Sequence, residues 1–377
     1  MARNVAHDLL PETTHDEACR QRFVLDLKRL VSREARPRAR AAWDREVRPA
    51  FESAYGRAPR DGGEIAPYMR PHPRYQVFSA LNRAAQEMMW DAVAAPLVRD
   101  TPRIRARAAE LAAASKSGGT LDLPAEFKPP EAMRAIHVHL QPGGYTYDDG
   151  ADDVTAGALY ESGGALYSMG QGVGVRESKA EVVQRFLAER HPGFVPARIL
   201  DMGCSAGASS TPYALAFPSA EVHAIDVGRS MLRYAHARAE ALGAKVHFHL
   251  ADATRTPFAD GSFDLVISHN TMHEMTADAV RAMFAESLRL LRPGGVCVHQ
   301  DVPLKYAGLD PYLQFDYGWD ADYNNEPFWD DYARSDAALV LREAGFAEDA
   351  IWVGRVPQLD NTIAWYVASA RKPEART

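Results

Sequence analysis

The chain has few cysteines, no long apolar run and no excess of basic residues. Cys19, Cys204 and Cys297 are too few and too widely spaced for a disulfide framework or a zinc-binding module. No segment approaches the roughly eighteen apolar residues that cross a bilayer, and the first residues lack the apolar core of a signal peptide. The net charge of −7 argues against a nucleic-acid partner. We therefore expect a cytoplasmic protein without membrane or nucleic-acid partners.

The composition is that of a folded globular protein, with 46% apolar and 25% charged residues in 377. Up to residue 114 the pattern is helical. Thr14 and Glu17 have the spacing of a capping box, and apolar stripes predict four helices, the third containing Phe78 and Met89 and the fourth covering 102–114. Arginines between residues 20 and 60 alternate with acidic residues, which favours a solvated surface. The glycine, proline and lysine content of 115–130 predicts a linker.

Two short segments follow this linker. Alternating residues predict a hairpin over 133–147, and the glycine content of 158–172 predicts a loop. His137 and His139, like His247 and His249 further on, have the spacing that places both rings on one face of a strand, as a metal site needs. No third ligand stands out near either pair, so we expect no metal.

The segment 197–226 has the pattern of a nucleotide-binding corner. An apolar run at 197–202 predicts a strand, and the small residues from Gly203 to Gly207 let a backbone approach a ligand closely. A second predicted strand ends in Asp226, about twenty residues after the glycines, where a ribose diol binds in Rossmann-type units. An ordinary strand-to-helix turn, with Asp226 as a helix cap, explains the loop alone equally well.

Further strands are predicted at 246–250, 265–268 and 296–300, the first followed by Asp252 and the last preceded by Pro293, Gly294 and Gly295. Their alternation with helices predicts an α/β fold with a parallel sheet. Two more apolar runs, at 351–356 and 362–370, predict a final antiparallel hairpin. A nicotinamide-dependent dehydrogenase shares the first loop but does not predict this hairpin.

With these motifs in order, about half the chain, from Glu177 to Lys372, resembles the class I S-adenosylmethionine-dependent methyltransferases. The resemblance is strongest to the small-molecule branch that includes the quinone C-methyltransferases. It implies a Rossmann-like sheet, mostly parallel with a C-terminal antiparallel hairpin. The helical pattern before residue 114 adds an N-terminal, mainly α-helical domain. Together they divide the chain into 1–130 as a helical cap or dimerisation domain, 131–175 as a connecting hairpin and loop over the cofactor, and 176–377 as the methyltransferase domain.

The resemblance implies S-adenosylmethionine as the cofactor. Asp201, Gly203 and Gly207 are then expected around its methionine part, Asp226 at the ribose hydroxyls and Asp252 at the adenine amino group. Ser205 stands where many relatives have glycine, and its hydroxyl is suited to bond the cofactor carboxylate. The remaining expected cofactor contacts are Val227, Met231, Ala253, His269 and Tyr167.

Candidate catalytic residues follow the strand at 265–268, at the sheet edge where ligands bind. His273 is the first choice for a general base facing the acceptor, because the pKa of histidine is ordinarily near neutral. Alternatively, His273 and Glu274 simply begin the next helix. His299 and Asp301, at the end of the following strand, are the reserve candidates.

The segment 301–336 has nine acidic residues against Lys305 and Arg334, an excess of seven, together with nine aromatic residues. In the family that the chain resembles, the insertion here commonly covers the substrate. An acidic, aromatic lid suits an apolar ring or a cationic group. Alternatively, the acids face water while the aromatics pack inward. The expected substrate contacts are His273, Tyr160, Tyr306, Tyr317, Trp319 and Trp90.

These patterns together predict a methyltransferase that acts on a small molecule, with C- or O-methylation of an aromatic or polyketide-like acceptor as the first choice. N- or S-methylation of an amine or thioether is the variant that the acidic lid suggests. A dehydrogenase and a non-catalytic cofactor-binding regulator are the alternatives of other classes. Methylation of nucleic acid or protein is not expected, because 268–271 lacks the Asn-Pro-Pro-aromatic turn of base methyltransferases.

Overall fold

The computed structural model describes residues 5–169, 179–359 and 363–374. Eight strands form one sheet in the order β1-β4-β3-β2-β5-β6-β8-β7. The strands are β1 Thr120–Asp122, β2 Arg198–Met202, β3 Glu221–Asp226, β4 His247–Leu250, β5 Phe263–His269, β6 Leu291–Asp301, β7 Ile351–Pro357 and β8 Ala364–Arg371. The pairings from β1 to β6 are parallel, whereas β8 is antiparallel to both β6 and β7. This confirms the predicted α/β fold and its final hairpin.

Fifteen α-helices lie around this sheet in the described part of the chain. The first seven are α1 His15–Leu30, α2 Arg36–Ala42, α3 Arg48–Tyr55, α4 Gly62–Met69, α5 Pro73–Ala114, α6 Glu131–Ala135 and α7 Thr155–Tyr167. The others are α8 Lys179–Arg190, α9 Ser210–Ala216, α10 Arg229–Ala241, α11 Ala277–Leu290, α12 Pro311–Tyr317, α13 Trp319–Tyr323, α14 Trp329–Arg334 and α15 Ala337–Glu343. No helix among the described residues is both long and apolar enough to cross a membrane.

The central strands are buried on both faces, as their apolar sequences predict. Ile199 and Leu265 pack on the side of α8 and α10, and Leu200 and Val266 pack on the side of α11 and α15. The strand order reverses between β2 and its neighbours β3 and β5. Ligands of open α/β sheets bind at the carboxyl ends of the strands at such a reversal. The loops after β2, β3 and β5 therefore frame the candidate site.

The N-terminal helices differ from the prediction at α4, which no predicted helix covers, and at α5. The capping box of Thr14 and Glu17 is present at α1. The predicted third and fourth helices, however, are one helix of 42 residues, α5, which contains Pro96 and Pro102. The helix continues because the face carrying Val93, Leu97, Ile104 and Ala108 stays buried on both sides of the prolines. This burial outweighs the backbone hydrogen bonds that the prolines remove.

Three local predictions for the connecting segment are wrong. The predicted linker at 115–130 contains β1, which pairs with β4. The predicted hairpin at 133–147 is instead α6 and a 3₁₀ turn at Val138–Leu140, because His139 and Leu140 have φ values of 56° and 62° that no extended strand adopts. The predicted loop at 158–172 is helical as far as Tyr167, the end of α7, and its part at 170–172 lies outside the described residues.

The glycines of α7 explain why it is a helix despite its composition. A Cβ on Gly157 would lie 2.4 Å from the Tyr234 side chain, and one on Gly163 would lie 2.7 Å from Trp90. Both distances are shorter than real Cβ contacts, so these positions serve close packing and not flexibility. Glycine content alone therefore does not distinguish a loop from a tightly packed helix.

Helices α12 to α14 lie in the segment 301–336, the predicted lid, and aromatic side chains of this segment pack inward. Tyr312, Phe315 and Trp319 share a core with the N-terminal helices. Three of its acids form ion pairs with N-terminal arginines: Arg36 with Asp316 at 2.7 Å, Arg40 with Asp310 at 2.9 Å and Arg70 with Asp322 at 2.6 Å. These arginines therefore bind the lid, in contrast to the predicted solvated surface.

Candidate functional site

The loop after β2 is shaped by three residues with positive φ. Gly203 and Gly207 have φ of 76° and Ser205 has φ of 49°, a region that glycine adopts most readily. The amides of Gly203 and Cys204 both donate to Ile225 O at the end of β3. A Cβ on Gly203 would lie 2.8 Å from the Thr271 side chain. The loop is thus held between the ends of β3 and β5, as the glycine pattern predicts.

Two buried carboxylates fix this loop. Asp226 accepts hydrogen bonds from the amides of Ser205 at 3.0 Å and Gly228 at 2.9 Å, and burial raises its pKa. The Oδ2 atom of Asp201 accepts from the hydroxyls of Ser209 and Ser210, which therefore do not cap α9. Burial raises the pKa of Asp201 to about 6, and its Oδ1 atom has no hydrogen-bond partner. A buried acceptor without a donor is the feature expected where a ligand binds.

A second group of polar side chains, the histidine–carboxylate cluster, is formed by His139, His273, Glu274, Asp301 and Glu326. His273 and Glu274 lie in a 3₁₀ turn after β5, which is separate from α11 and so does not begin the next helix. Asp301 ends β6 and accepts from Nδ1 of His273 at 2.5 Å. Asp301 also accepts from the amides of Met272 and Val302. Asp301 is therefore a positioning residue for His273.

His139 and Glu326 complete the cluster from distant parts of the chain. Nδ1 of His139 lies 2.7 Å from Glu326 Oε1, and its Nε2 lies 3.0 Å from Glu274 Oε1. Trp90 and Gln86 of α5 donate to the carbonyl of His139, at 2.7 and 3.2 Å. These two donors hold a residue with positive φ, a conformation that costs about 1–3 kcal/mol and that persists where the surroundings impose it.

The carboxylates determine the charge of both histidines. Burial alone would lower the pKa of His273, but Asp301 and then Glu274 raise it to about 9. Burial acts in the same way on His139, whose pKa Glu326 and Glu274 raise well above its usual value. With protons on both rings, the cluster offers two imidazolium donors. The expectation of a near-neutral pKa for His273 is therefore wrong.

Two tyrosines connect the cofactor loop with the cluster. Ser205 lies close to the hydroxyl of Tyr160, and burial raises the pKa of this hydroxyl to about 12. The ring of Tyr160 meets that of Tyr145 edge to face at 5.7 Å, and the hydroxyl of Tyr145 donates to Glu274 at 3.4 Å. The carbonyl of Tyr145 would lie 2.4 Å from a Cβ at Gly228. The loop and the cluster are thus two sides of one site.

The side chains of Tyr160 and Tyr167 face different parts of the candidate site. Tyr160, a predicted substrate contact, lies near Ser205 of the cofactor loop. Tyr167, a predicted cofactor contact, has its hydroxyl 2.8 Å from Nδ1 of His139 and 3.3 Å from Glu326. Both belong to α7, seven residues apart and so on one face of the helix. Because the sequence analysis predicts a loop at 158–172, it gives no direction for either tyrosine side chain.

Other predicted site residues lie in the core. His299 is fully buried between the hydroxyls of Ser268 and Ser287, and burial lowers its pKa to about 3, so it is excluded as a base. His269 is held between Tyr213 and Gln300, and its pKa is lowered by burial to about 4. Met231 is buried beneath the loop, in the core that contains Ala206. None of these three presents a free polar atom to a ligand.

The residues predicted near the adenine and ribose follow the carboxyl ends of two strands: Asp252 and Ala253 follow β4, and Val227 follows β3. Asp252 Oδ1 accepts from both the amide and the hydroxyl of Thr254 and so shapes its own turn. Ala253 is buried beside it, and Val227 follows Asp226 in a partly exposed position. Their position at the carboxyl ends of the strands agrees with the prediction, while a contact with a cofactor stays a prediction.

The predicted substrate residues of the lid and α5 have structural partners. Trp319 donates from Nε1 to Ser79, and Tyr306 donates to Asp330. Tyr317 lies under the guanidinium of Arg36, whose Cζ is 5.3 Å from the ring centroid. Trp90 supports His139. Trp319, Tyr306 and Trp90 thus use their polar atoms in contacts within the protein.

Sequence reasoning missed His139 as a site residue, together with Tyr145 and Glu326. The sequence shows the pair of His137 and His139, but the cluster partners of His139 stand 134 or more positions further along the chain. His247 and His249, the second pair, lie on β4 beside His223, with ring centroids 5.2 Å from it. Among the described residues, His139, His273 and Glu274 are the one group placed closely enough to share an ion.

Comparison with known proteins agrees with this geometry. Residues 199–295 match the family model described as a methyltransferase domain, a range that includes the glycine loop, Asp226 and His273. The chain contains a class I S-adenosylmethionine-dependent methyltransferase domain. Malonyl-[acyl-carrier protein] O-methyltransferase of Methylococcus capsulatus is 37% identical over 126 residues, which are 32% of this chain and 44% of that protein.

Demethylmenaquinone methyltransferase of Thermus thermophilus is 38% identical over 108 residues, 29% of this chain and 48% of that protein. The chain thus spans less than half the length of these curated relatives. A solved structure of Haemonchus contortus phosphoethanolamine N-methyltransferase 2 with S-adenosyl-L-methionine has a TM-score of 0.40 and 18% identity, and covers 52% of this chain and 53% of that one. The range matched by the family model, 199–295, does not include His139 of the connecting segment.

Proposed function

We propose that this protein is an enzyme that transfers a methyl group from S-adenosylmethionine to a small-molecule acceptor, by C- or O-methylation of an aromatic or polyketide-like compound. S-adenosylmethionine supplies an electrophilic methyl group when bound. The observation that carries the proposal is the position of the buried histidine–carboxylate cluster, which adjoins the cofactor loop of a methyltransferase domain at the carboxyl edge of its sheet.

The residues of the loop fit this cofactor. Asp201 keeps one buried oxygen without a partner, as a carboxylate that receives a ligand's ammonium group would. Asp226 has both oxygens anchored by backbone amides, which fixes it for further hydrogen bonds from a diol. A Cβ on Gly203 would lie 2.8 Å from the Thr271 side chain, and one on Gly207 would lie 3.2 Å from Ala235, so both positions have little room for a side chain. Gly203, Ser205, Gly207, Asp201 and Asp226 are therefore the residues that would hold the cofactor.

The histidine–carboxylate cluster offers the acceptor a dry binding position beside a positively charged imidazolium. Methyl transfer is an in-line displacement, so the main contribution of a protein is to hold the acceptor atom in a dry site, worth up to about 7–11 kcal/mol. His273 is 3% exposed, and the rings of Trp329 and Tyr332 lie edge-on to it at 5.4 and 5.9 Å. An imidazolium in such a place donates a hydrogen bond to an acceptor oxygen and stabilises its anion.

This chemistry favours an acceptor with an oxygen anion, such as an enolate or phenolate, over an amine. The acidic lid had suggested a cation, but Asp310, Asp316 and Asp322 are paired with arginines and have no need of one. We propose that His273 acts as this donor, with Asp301 holding its ring. Tyr160 and Tyr167 then wall the site from α7.

We also propose a homodimer through the N-terminal helices. Phe23 and Leu30 of α1 and Leu81 and Met88 of α5 are large apolar side chains with 39–60% of their surface exposed. A second copy would cover them. Exposed Cys19 is free, which supports the cytoplasm as the place of action.

The proposal is tested by cofactor binding and by product detection. Calorimetric titration with S-adenosylmethionine should show binding that NAD does not compete with. Asp226→Ala should weaken it by about 5–150-fold, the equivalent of the ~1–3 kcal/mol expected for lost hydroxyl hydrogen bonds. Asp278→Ala, at a side chain that is 96% exposed, is the matched control and should bind as the wild type does.

Cell extract incubated with the enzyme and methyl-labelled cofactor should contain one labelled small molecule, detected by mass spectrometry. Binding of NAD in place of S-adenosylmethionine would indicate a dehydrogenase. Binding of S-adenosylmethionine without any labelled product would indicate a regulator. Either result overturns the proposed function.

A further inference from the structure

Two histidines of the cluster direct the same ring nitrogen towards one carboxylate oxygen. Nε2 of His139 lies 3.0 Å from Glu274 Oε1, and Nε2 of His273 lies 3.5 Å from the same atom. Ligand atoms that share a zinc-like ion, with bonds of about 2.0–2.2 Å, lie about 3–3.5 Å apart. We propose that His139, His273 and Glu274 bind a divalent first-row transition metal ion, with Zn²⁺ as its representative.

The other nitrogen of each ring supports this assignment. Nδ1 of His139 lies 2.7 Å from Glu326, and Nδ1 of His273 lies 2.5 Å from Asp301. Histidines that bind metals almost always donate their second ring N–H to a carboxylate, carbonyl or water, which fixes the tautomer. Here both rings have a carboxylate in that place. In the metal-free protein each Nε2 carries a proton, and the ion replaces this proton when it binds, so binding releases protons.

The backbone and one unpaired oxygen provide independent observations. His139 has a φ of 56°, and Trp90 and Gln86 hold its carbonyl, so its ring direction is imposed by α5. Glu326 is 1% exposed, yet its Oε2 atom has no hydrogen-bond partner. A buried carboxylate oxygen without a donor is costly. A hydrated cation beside the cluster would supply that donor.

Two imidazoles and one carboxylate form a set that binds Zn²⁺ and Fe²⁺ and leaves coordination positions free. Small molecules with a carbonyl, enolate or phenolate oxygen are the class that such positions accept. The inference goes beyond methyl transfer and does not depend on it, because ion binding is measured directly on the protein.

The test uses the full-length protein stripped of metal with a chelator and titrated with Zn²⁺ at neutral pH. We expect one ion per chain. His139→Ala and Glu274→Gln should each weaken binding by at least about tenfold, and Glu326→Gln by about 10–100-fold through the orientation of His139. His137→Ala removes an exposed histidine two residues away and is the matched control. His249→Ala tests the second histidine pair, and both controls should bind as the wild type does.

A spectroscopic measurement distinguishes loss of the metal site from misfolding of a variant. Co²⁺ bound to the wild type should give visible absorption bands that the ligand variants lack, while circular dichroism reports whether each variant is folded. If His139→Ala does not fold, Glu326→Gln, which keeps the size of the side chain, decides. Failure of the folded wild type to bind Zn²⁺ below millimolar concentration would overturn the proposal. So would loss of the ion in His249→Ala with wild-type affinity in His139→Ala.

Discussion

Replacement of Glu161 should destabilise the whole chain, because this buried carboxylate joins three segments. Glu161 of α7 is 1% exposed and accepts hydrogen bonds from Tyr234 at 2.8 Å and from Arg238 Nε at 2.8 Å, both in α10. Its other partner is Nε2 of His7, at 3.1 Å. Arg238 in turn contacts Gly207 O at 3.3 Å, so the network reaches the cofactor loop.

The size of the effect follows from the pKa of the carboxylate. Burial alone would raise the pKa of Glu161, but Arg238 and His7 lower it from 4.5 to about 2. This difference corresponds to about 3 kcal/mol of free energy of unfolding. Removing one partner of a buried ion pair typically costs about 3–5 kcal/mol. We therefore expect Glu161→Gln to lower the free energy of unfolding by about 3 kcal/mol at pH 7.

The pH dependence has a defined sign. Because the pKa is lower in the folded state, the contribution is complete above the ordinary value of 4.5 and is lost as the pH falls towards 2. At pH 3.5 about 2 kcal/mol should remain. The difference between the wild type and Glu161→Gln should thus shrink by about 1 kcal/mol between pH 7 and pH 3.5, since glutamine does not titrate.

Urea denaturation followed by circular dichroism at both pH values measures this difference. Glu348→Gln is the control, because Glu348 is 73% exposed and pairs only across the surface with Arg342 at 2.9 Å. It should change the free energy of unfolding by less than about 1 kcal/mol. A Glu161→Gln variant as stable as this control, or a difference that grows as the pH falls, would refute the reasoning.

Two further substitutions test the proposed role of His273 and the packing of α7. Because we propose that His273 stabilises the acceptor anion, His273→Ala should lower kcat by about 100-fold or more while the affinity for S-adenosylmethionine is kept. A wild-type kcat in steady-state kinetics would remove His273 from catalysis. Gly163→Ala should cost about 1–3 kcal/mol in thermal or urea unfolding, because the new Cβ would lie 2.7 Å from Trp90, and unchanged stability would contradict the close packing of α7.

The parts of the fold that sequence predicted are those coded locally. The strands from β2 to β8 are predicted from apolar runs, whereas β1 is not. The loop from Gly203 to Gly207 with Asp226 follows from glycine conformation and from one spacing of about twenty residues. The final hairpin was read in the same way and is confirmed. In each case a window of some thirty residues contains all the information.

The parts that it did not predict depend on contacts between distant segments. His139 and Glu326 are 187 positions apart, so no local pattern relates them. The glycines of α7 indicate a helix only when the rings of Tyr234 and Trp90 are known to lie against them. The mixed charges of the N-terminal segment likewise became ion pairs only when the lid was folded onto it, as with Arg36 and Asp316.

The support of His139 by Trp90 and Gln86 ties the N-terminal segment to the range that matches the methyltransferase family model. His139 and α5 lie outside that range, whereas Glu274, which pairs with His139, lies inside it. The network of Glu161 likewise runs from α7 through Arg238 to Gly207 in the cofactor loop. A truncated protein beginning near α8 would lose both connections, so we expect the matched range to need the N-terminal segment for stable folding.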